Sequence, residues 1–173
     1  MSSDHREHIV SSFDADLGRL DTMIAEMGGL AESQLAGSIE ALRKRDIAAA
    51  EKIVPADKRI DDLEDEIYEF TVKLIALRQP MAEDLRIVIS AIKVSSVLER
   101  IGDYAKNISK RAIVLEKSPA MGSAVNTVSR MGNLVQGMIK NALDAYIARD
   151  ADLANDVRDR DREVDLLHTS LFR

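Results

Sequence analysis

The 173-residue chain contains no cysteine and no tryptophan, and only three histidine, three phenylalanine and three tyrosine residues. The lack of cysteine excludes a disulfide framework, a CxxC redox site and a thiolate metal centre. The few aromatic side chains leave little surface for stacking on bases. A net charge of −6 provides no basic footprint over the whole chain. We therefore expect no nucleic-acid partner.

Long apolar runs are missing as well. No stretch approaches the 18 apolar residues of a membrane span. The amino-terminal segment MSSDHREHIV also lacks the basic-then-apolar pattern of a signal peptide. The sequence therefore predicts a cytoplasmic protein without direct membrane insertion.

Only three prolines and eight glycines interrupt a chain rich in alanine, leucine, isoleucine and charged residues, a composition that favours long helices over a sheet. Apolar residues recur every three or four positions, which predicts five helices, at about 13–44, 48–77, 80–116, 122–148 and 151–173. Pro55 should kink the second helix or mark its true start. Pro80 should occupy the first turn of the third. The predicted fold class is all-α.

The chain also contains an internal repeat. A shift of 104 residues aligns residues 27–69 with 131–173 without a gap and gives ten identities. The repeat predicts two three-helix units, of which the second has only its first two helices in this chain. We assign residues 1–12 to a flexible N-terminus, 13–118 to a first three-helix bundle and 119–173 to an incomplete second bundle.

Acidic residues recur four positions apart, among other places at Asp57 and Asp61, Glu99 and Asp103, and Asp161 and Asp165. Two acids at this spacing share one helix face and repel each other, so solvent, a basic side chain or a bound cation must offset the repulsion. For Asp57 and Asp61, a solvated face and a binding site are both open interpretations.

Glu99 and Asp103 carry more information, because no other acid lies between Leu85 and Leu115 and both extend an apolar stripe that should face a partner helix. Acids in such a place need pairing or metal coordination. One interpretation is a salt bridge to Lys93, Arg100 or a lysine of the second helix. The other is an oxygen-only site for a hard metal ion. We expect Glu99 and Asp103 to lie opposite the first acidic pair across the seam between helices two and three.

Residues 98–108, LERIGDYAKNI, closely resemble the LERIGD-x-A-x-N-I signature of the PhoU family, regulators of bacterial phosphate uptake. Residues 78–80 (RQP) with 84–86 (DLR) resemble that family's junction between helices two and three. Residues 57–61 (DKRID) and 161–165 (DREVD) resemble its acidic segment in the two repeats. The resemblance implies two similar three-helix bundles whose acidic motifs bind metal clusters in some members. It makes Asp57, Asp61, Glu99, Asp103, Asp161 and Asp165 the candidate ligands of a divalent or trivalent metal ion, with Fe, Mn, Mg and Zn as candidates.

The resemblance further implies a non-enzymatic negative regulator that links the ATPase of the Pst phosphate ABC transporter to a sensor histidine kinase. The residues offer no nucleophile, general-base pair or phosphate-cradling glycine loop, which agrees with a protein that is not an enzyme. Two alternatives remain open: a structural helical adaptor with incidental acids, and a carboxylate-bridged metallophosphatase.

Helices four and five carry apolar side chains that a third helix would cover in a complete unit. An exposed apolar seam of this kind is unusual on a monomer. We therefore expect a homodimer formed through these helices, the rival outcome being that one of them packs on the first bundle. The residues of the seam are Leu134, Met138, Leu143, Tyr146, Val157, Val164, Leu167 and Leu171.

Overall fold

The computed structural model describes residues 2–119 and 122–171, with side chains described from residue 12 onward. The described residues form six helices and no strand, so the predicted all-α class is confirmed. None of these helices is both long enough and apolar enough to cross a membrane. The helices are α1 (Ser2–Lys44), α2 (Ile47–Ala56), α3 (Lys58–Arg78), α4 (Ala82–Leu115), α5 (Gly122–Ala148) and α6 (Ala151–Ser170).

The predicted second helix is present as two segments, α2 and α3, which meet at Asp57. Pro55 lies within α2, one residue before the helix ends, and removes one N–H from its hydrogen-bond ladder. Asp57 keeps helical backbone angles, φ −56° and ψ −32°, and starts α3 at once. α1 extends further than predicted, since its backbone is helical from Ser2. The flexible N-terminus stays a prediction.

The third predicted helix begins at Ala82, so the prediction that Pro80 lies in its first turn was wrong. Steric clash with a proline ring disfavours the right-handed helical conformation of the residue before it. Gln79 takes left-handed angles, φ 48° and ψ 53°, and caps α3 by donating its N–H to the Ile75 carbonyl at 3.0 Å. Pro80 and Met81 then form the short connection that makes α3 and α4 antiparallel neighbours.

The first unit is a bundle of α1, α3 and α4. Its core combines three helices through side chains that are almost fully buried: Leu20, Ile24, Met27, Ala31, Ile60, Leu63, Ile67, Ala91 and Leu98. The shorter α2 packs against α1 and α4 where all three present alanine, at Ala41, Ala50 and Ala112. Small side chains there let the helix backbones approach closely.

α5 crosses α1 in the opposite direction through two equivalent contacts. A Cβ atom added to Gly28 would clash with Leu143, and one added to Gly132 would lie 2.8 Å from Ile39 Cγ1. The repeat relates Gly28 to Gly132 and Ile39 to Leu143, since each pair is 104 residues apart. The same glycine-to-aliphatic contact is therefore made twice, and both glycines are needed for the crossing.

The two inter-helix turns of the repeat confirm its register. Arg45 and Arg149 both have φ 56°, and each precedes an aspartate that caps the next helix. The amides of Asp46 and Asp150 each donate to the carbonyl five residues back, at 2.9 Å in both turns. Matching backbone angles and hydrogen bonds 104 residues apart show that the repeat is structural.

α6 packs on α5 and contains no buried residue. All eight apolar residues of the predicted seam are of intermediate exposure, because α5 covers part of the seam by packing on α1. An apolar groove of about 510 Å³ stays open between α4, α5 and α6.

Candidate functional site

The start of α3 faces the middle of α4, which brings the acids of the first unit together as expected. Asp57, at the junction of α2 and α3, is only 2% exposed, whereas Asp61, one turn later, is exposed. On α4, Glu99 and Asp103 are half-buried. The charges of Asp57 and Asp103 both act on Asp61.

A lysine lies between two of these carboxylates. Lys106 Nζ donates to Asp57 Oδ2 at 2.5 Å and to Asp103 Oδ1 at 2.6 Å. These charge-assisted bonds raise the pKa of Lys106. The hydrogen bond from Lys106 is also the main reason that the pKa of Asp103 is lowered. One ammonium group therefore joins the α2–α3 junction to α4.

Gly102 makes room for the buried carboxylate. A Cβ atom at this position would lie 2.8 Å from Asp57 Oδ1 and 2.9 Å from Ile60 Cδ1. Only glycine lets α4 pass this close to the junction without moving the aspartate. The glycine of the LERIGD segment is thus a packing requirement of the site.

Asp61 and Glu99 are the acids of this cluster that Lys106 does not bond. Partial burial raises the pKa of the Glu99 carboxyl, and the negative charges of Asp103 and Glu64 raise it further. Loss of water contact likewise raises the pKa of Asp61, with a further contribution from the charge of Asp57. Both carboxyls would be stabilised by additional positive charge.

The cluster does not form a ready metal centre. Within the described residues, no three His, Cys, Asp or Glu side chains converge closely enough to hold a metal ion. The Lys106 ammonium stands between Asp57 and Asp103, where a cation shared by the two carboxylates would bind. Ligation by these acids would therefore require Lys106 to move away.

The acids of the second unit lie apart from this cluster. Asp161 and Asp165 are both exposed on α6, and in the described part of the chain they belong to no three-residue ligand group. Besides its helical hydrogen bonds, the Asp165 backbone carbonyl accepts from the Thr169 hydroxyl at 2.9 Å. Asp161 is the repeat equivalent of Asp57 but has none of its burial.

Sequence reasoning expected Lys93, Arg100 or a second-helix lysine as the cation of the ion-pair interpretation, and it missed Lys106. Lys93 and Arg100 are exposed, and within the described residues neither makes an ion pair with these acids. The signal that could have identified Lys106 is its spacing of three from Asp103, which places both on one helix face.

Comparison with known proteins gives consistent matches. A family model described as PhoU domain matches residues 24–112 and 128–173. The phosphate-specific transport system accessory protein PhoU homolog of Caulobacter vibrioides (strain NA1000 / CB15N) is 46% identical over 167 residues, covering 96% of this chain and 73% of that relative. The protein of the same description from Zymomonas mobilis subsp. mobilis is 46% identical over 166 residues, covering 96% and 70%.

Two solved structures share the fold. The crystal structure of PhoU from Pseudomonas aeruginosa matches with a TM-score of 0.89 and 37% identity, over 93% of this chain and 77% of that one. The phosphate transport system regulatory protein PhoU from Streptococcus pneumoniae matches with a TM-score of 0.86 and 28% identity, over 92% and 74%.

Proposed function

The chain belongs to the PhoU family, and from this premise we propose that it is a regulatory accessory protein of a phosphate-specific transport system. The observation that carries the proposal is the family match, which extends through both repeat units. The long helices support it because they present rigid, charged faces that suit docking to other proteins.

The finer proposal concerns the partners and the direction of regulation. We propose that the chain acts in the cytoplasm, contacts the transporter ATPase and a sensor histidine kinase, and keeps phosphate-starvation genes off when phosphate is plentiful. It would do so without catalysing a reaction, as the name "accessory protein" of its relatives suggests.

The test is complementation of a host that lacks its own family member and carries a reporter for phosphate-starvation genes. The chain should restore repression in phosphate-replete medium, and affinity capture should recover the transporter ATPase or the kinase. An unrepressed reporter with normal levels of folded chain would contradict the regulatory proposal. Restored repression without either partner would contradict the proposed partners alone.

Metal binding by the six carboxylates stays a prediction. The position of Lys106 turns it into a proposal that can be tested. We propose that its ammonium competes with a hard cation for Asp57 and Asp103. Addition of Mn²⁺ should therefore raise the melting temperature of Lys106→Gln more than that of the unmodified chain. Lys117→Gln, which changes an exposed lysine beyond the end of α4, is the matched control. Equal shifts in all three proteins would show that Lys106 does not compete.

Self-association through α5 and α6 is the remaining proposal, supported by the half-exposed apolar seam and by the open groove that four of its residues line. Light scattering at micromolar concentration should give the mass of two chains. A monomer that binds no hydrophobic dye would show instead that contacts within one chain cover the seam. The protein would then act as a single chain, whether as a regulator or as an adaptor.

A further inference from the structure

The outer face of the α3–α4 pair carries large apolar side chains that lie at the surface of the first unit. Tyr68 and Val72 are one turn apart on α3, and Leu85 and Ile89 are one turn apart on α4. These four side chains are between 37% and 56% exposed. The face belongs wholly to the first unit, whose three helices are all described. We call these four residues the apolar half of the face.

The antiparallel run of the two helices places the two apolar pairs side by side. Val72 lies seven residues before Gln79, and Ile89 lies eight residues after Met81, so both are at the same height above the short connection. Exposed apolar side chains that are neighbours on two packed helices form a continuous patch, and such patches mark interaction surfaces more often than isolated side chains do.

Acidic residues continue the same face away from the connection. On α3 acids lie seven residues before both apolar residues, and on α4 acids lie 14 residues after both. Multiples of seven residues return to nearly the same side of a helix, and the antiparallel run brings both sets of acids to one end. We call this set, together with the neighbouring Glu64, the acidic half: Asp61, Glu64, Asp65, Glu99 and Asp103.

Most of the acidic half has no counter-charge. Lys106 bonds Asp103 at 2.6 Å, whereas the other four acids make no ion pair with any residue that the structure describes. Lys58 is close enough for its charge to act on Asp61 and Asp65, but its ammonium is bonded to Asp62 at 2.7 Å. The face therefore combines an uncovered apolar patch with an adjoining negative charge that a positive ligand would stabilise.

We propose that this face docks a basic amphipathic helix of a partner protein, with apolar side chains on the apolar half and lysine or arginine over the acidic half. The proposal rests on the proposed regulatory function, which requires a partner. A third helix fits because side chains on α3 and α4 form ridges at helical spacing, and helices pack by placing such ridges in each other's grooves. The face runs along α4 from Leu85 to Asp103, 18 residues apart, which is about 27 Å. A partner helix of about 18 residues would cover it.

The combination of charge and apolar surface disfavours other occupants. A nucleic acid or a bilayer of anionic phospholipid has the same sign of charge as the acidic half and would be repelled. A metal ion could neutralise the acids but would leave the apolar half exposed. A second copy docked through the same face would bring its own acids against acids or against apolar side chains, and both arrangements are unfavourable.

The experiment uses two synthetic helical peptides of 18 residues with the same leucine and isoleucine stripe, one flanked by lysines and one by glutamates. Fluorescence anisotropy with the whole chain should show binding of the basic peptide only, weakened by added salt. The double variant Glu64→Lys with Asp65→Lys should bind it at least tenfold more weakly. The matched control, Asp14→Lys with Glu51→Lys, makes the same change in net charge at exposed sites on α1 and α2 and should bind normally.

A second pair of variants tests the apolar half. Val72→Ser with Ile89→Ser should also weaken binding of the basic peptide at least tenfold. Its matched control, Ile147→Ser with Leu166→Ser, removes exposed apolar side chains from α5 and α6 and should bind normally. Circular dichroism of all four variants shows that each one is folded before its binding is compared.

Four results would overturn the proposal: binding of neither peptide, equal binding of both, equal loss in a variant and its control, or preferential binding to vesicles of anionic phospholipid. Complementation separates this inference from the function. If the Glu64 and Asp65 double variant binds no basic peptide yet still represses the reporter fully, the docking face is wrong and the regulatory role stands. If the unmodified chain binds the peptide but never represses the reporter, the regulatory role fails by itself.

Discussion

Replacement of Lys106 by methionine tests the ion-pair bridge between α4 and the α2–α3 junction. Methionine keeps most of the aliphatic stem of the lysine and removes its charge, so the change isolates the ammonium. The carboxyl of Asp57 would then lose its cation while almost fully buried, because its side chain is only 3% exposed. Removing one partner of a buried pair is costly mainly because the other charge is left without compensation.

The size of the effect follows from the exposure of the three groups. Breaking a fully buried pair costs about 3–5 kcal/mol. Here the Lys106 side chain is 24% exposed and that of Asp103 is 44% exposed, so water screens part of the bridge. The Asp103 bond should contribute at most about 1 kcal/mol, as exposed pairs do. We therefore expect Lys106→Met to lower the free energy of unfolding by about 2–3 kcal/mol, mostly through Asp57.

Urea unfolding followed by circular dichroism measures this loss, which should lower the midpoint by about 1 M. The control is Lys140→Met, which removes a pair of similar length, 2.7 Å, between side chains that are 63% and 53% exposed. That variant should lose less than about 1 kcal/mol. If the two variants lose the same stability, burial of Asp57 does not govern the strength of the bridge and the reasoning is refuted.

Three further perturbations probe the packing, the titration and a helix cap. Gly102→Ala should lower stability by about 1–3 kcal/mol, because its Cβ would lie 2.8 Å from Asp57 Oδ1. Gly18→Ala, which has open space at the Cβ, should raise stability. If thermal unfolding shows that the two glycine variants change stability in the same direction, this account is wrong. Because partial burial raises the pKa of Glu99, its ionised form costs stability that is regained as pH falls through that pKa. Glu99→Gln should thus raise the melting temperature at pH 7, but not near pH 4.3, about the pKa of a glutamate in the unfolded chain. If the rise in melting temperature does not depend on pH, titration of Glu99 is not its cause. Asp150→Ala removes the N-cap of α6 and should speed amide hydrogen exchange in its first turn about fivefold, which corresponds to about 1 kcal/mol. Unchanged exchange would show that α6 does not need this cap.

The helices and the repeat could be predicted because both depend on local patterns. Apolar spacing determines which residues are helical, and the turn at Arg45 and Asp46 recurs at Arg149 and Asp150 in both sequence and backbone angles. The start of α4 could not be predicted by the same means. Gln79 ends α3 in the left-handed conformation and does not take the extended conformation of a residue that starts a helix, so Met81 is the extended residue that precedes α4.

The sequence predicted which acids of the site lie close together. It did not predict which cation neutralises their charge. Spacing places Glu99 and Asp103 on one face of α4, and the short connection after α3 brings that face against Asp57. Whether a lysine or a metal ion neutralises the acids depends on where the flexible side chain of Lys106 places its ammonium group. The spacing of residues along the sequence does not determine that position. Lys106 reaches both Asp57 and Asp103 because Gly102 allows α4 to lie against the junction.

The crossing of α1 and α5 has the form of an isologous interface, although it lies within a single chain. Gly28 meets Leu143 as Gly132 meets Ile39, which is the reciprocity that a rotation axis imposes on a pair of identical subunits. In such a pair, one substitution would alter both contacts together. Covalent connection of the two halves removes that constraint, so each glycine can be changed alone. It also gives the halves a high effective concentration, so the crossing does not weaken on dilution as a subunit interface would.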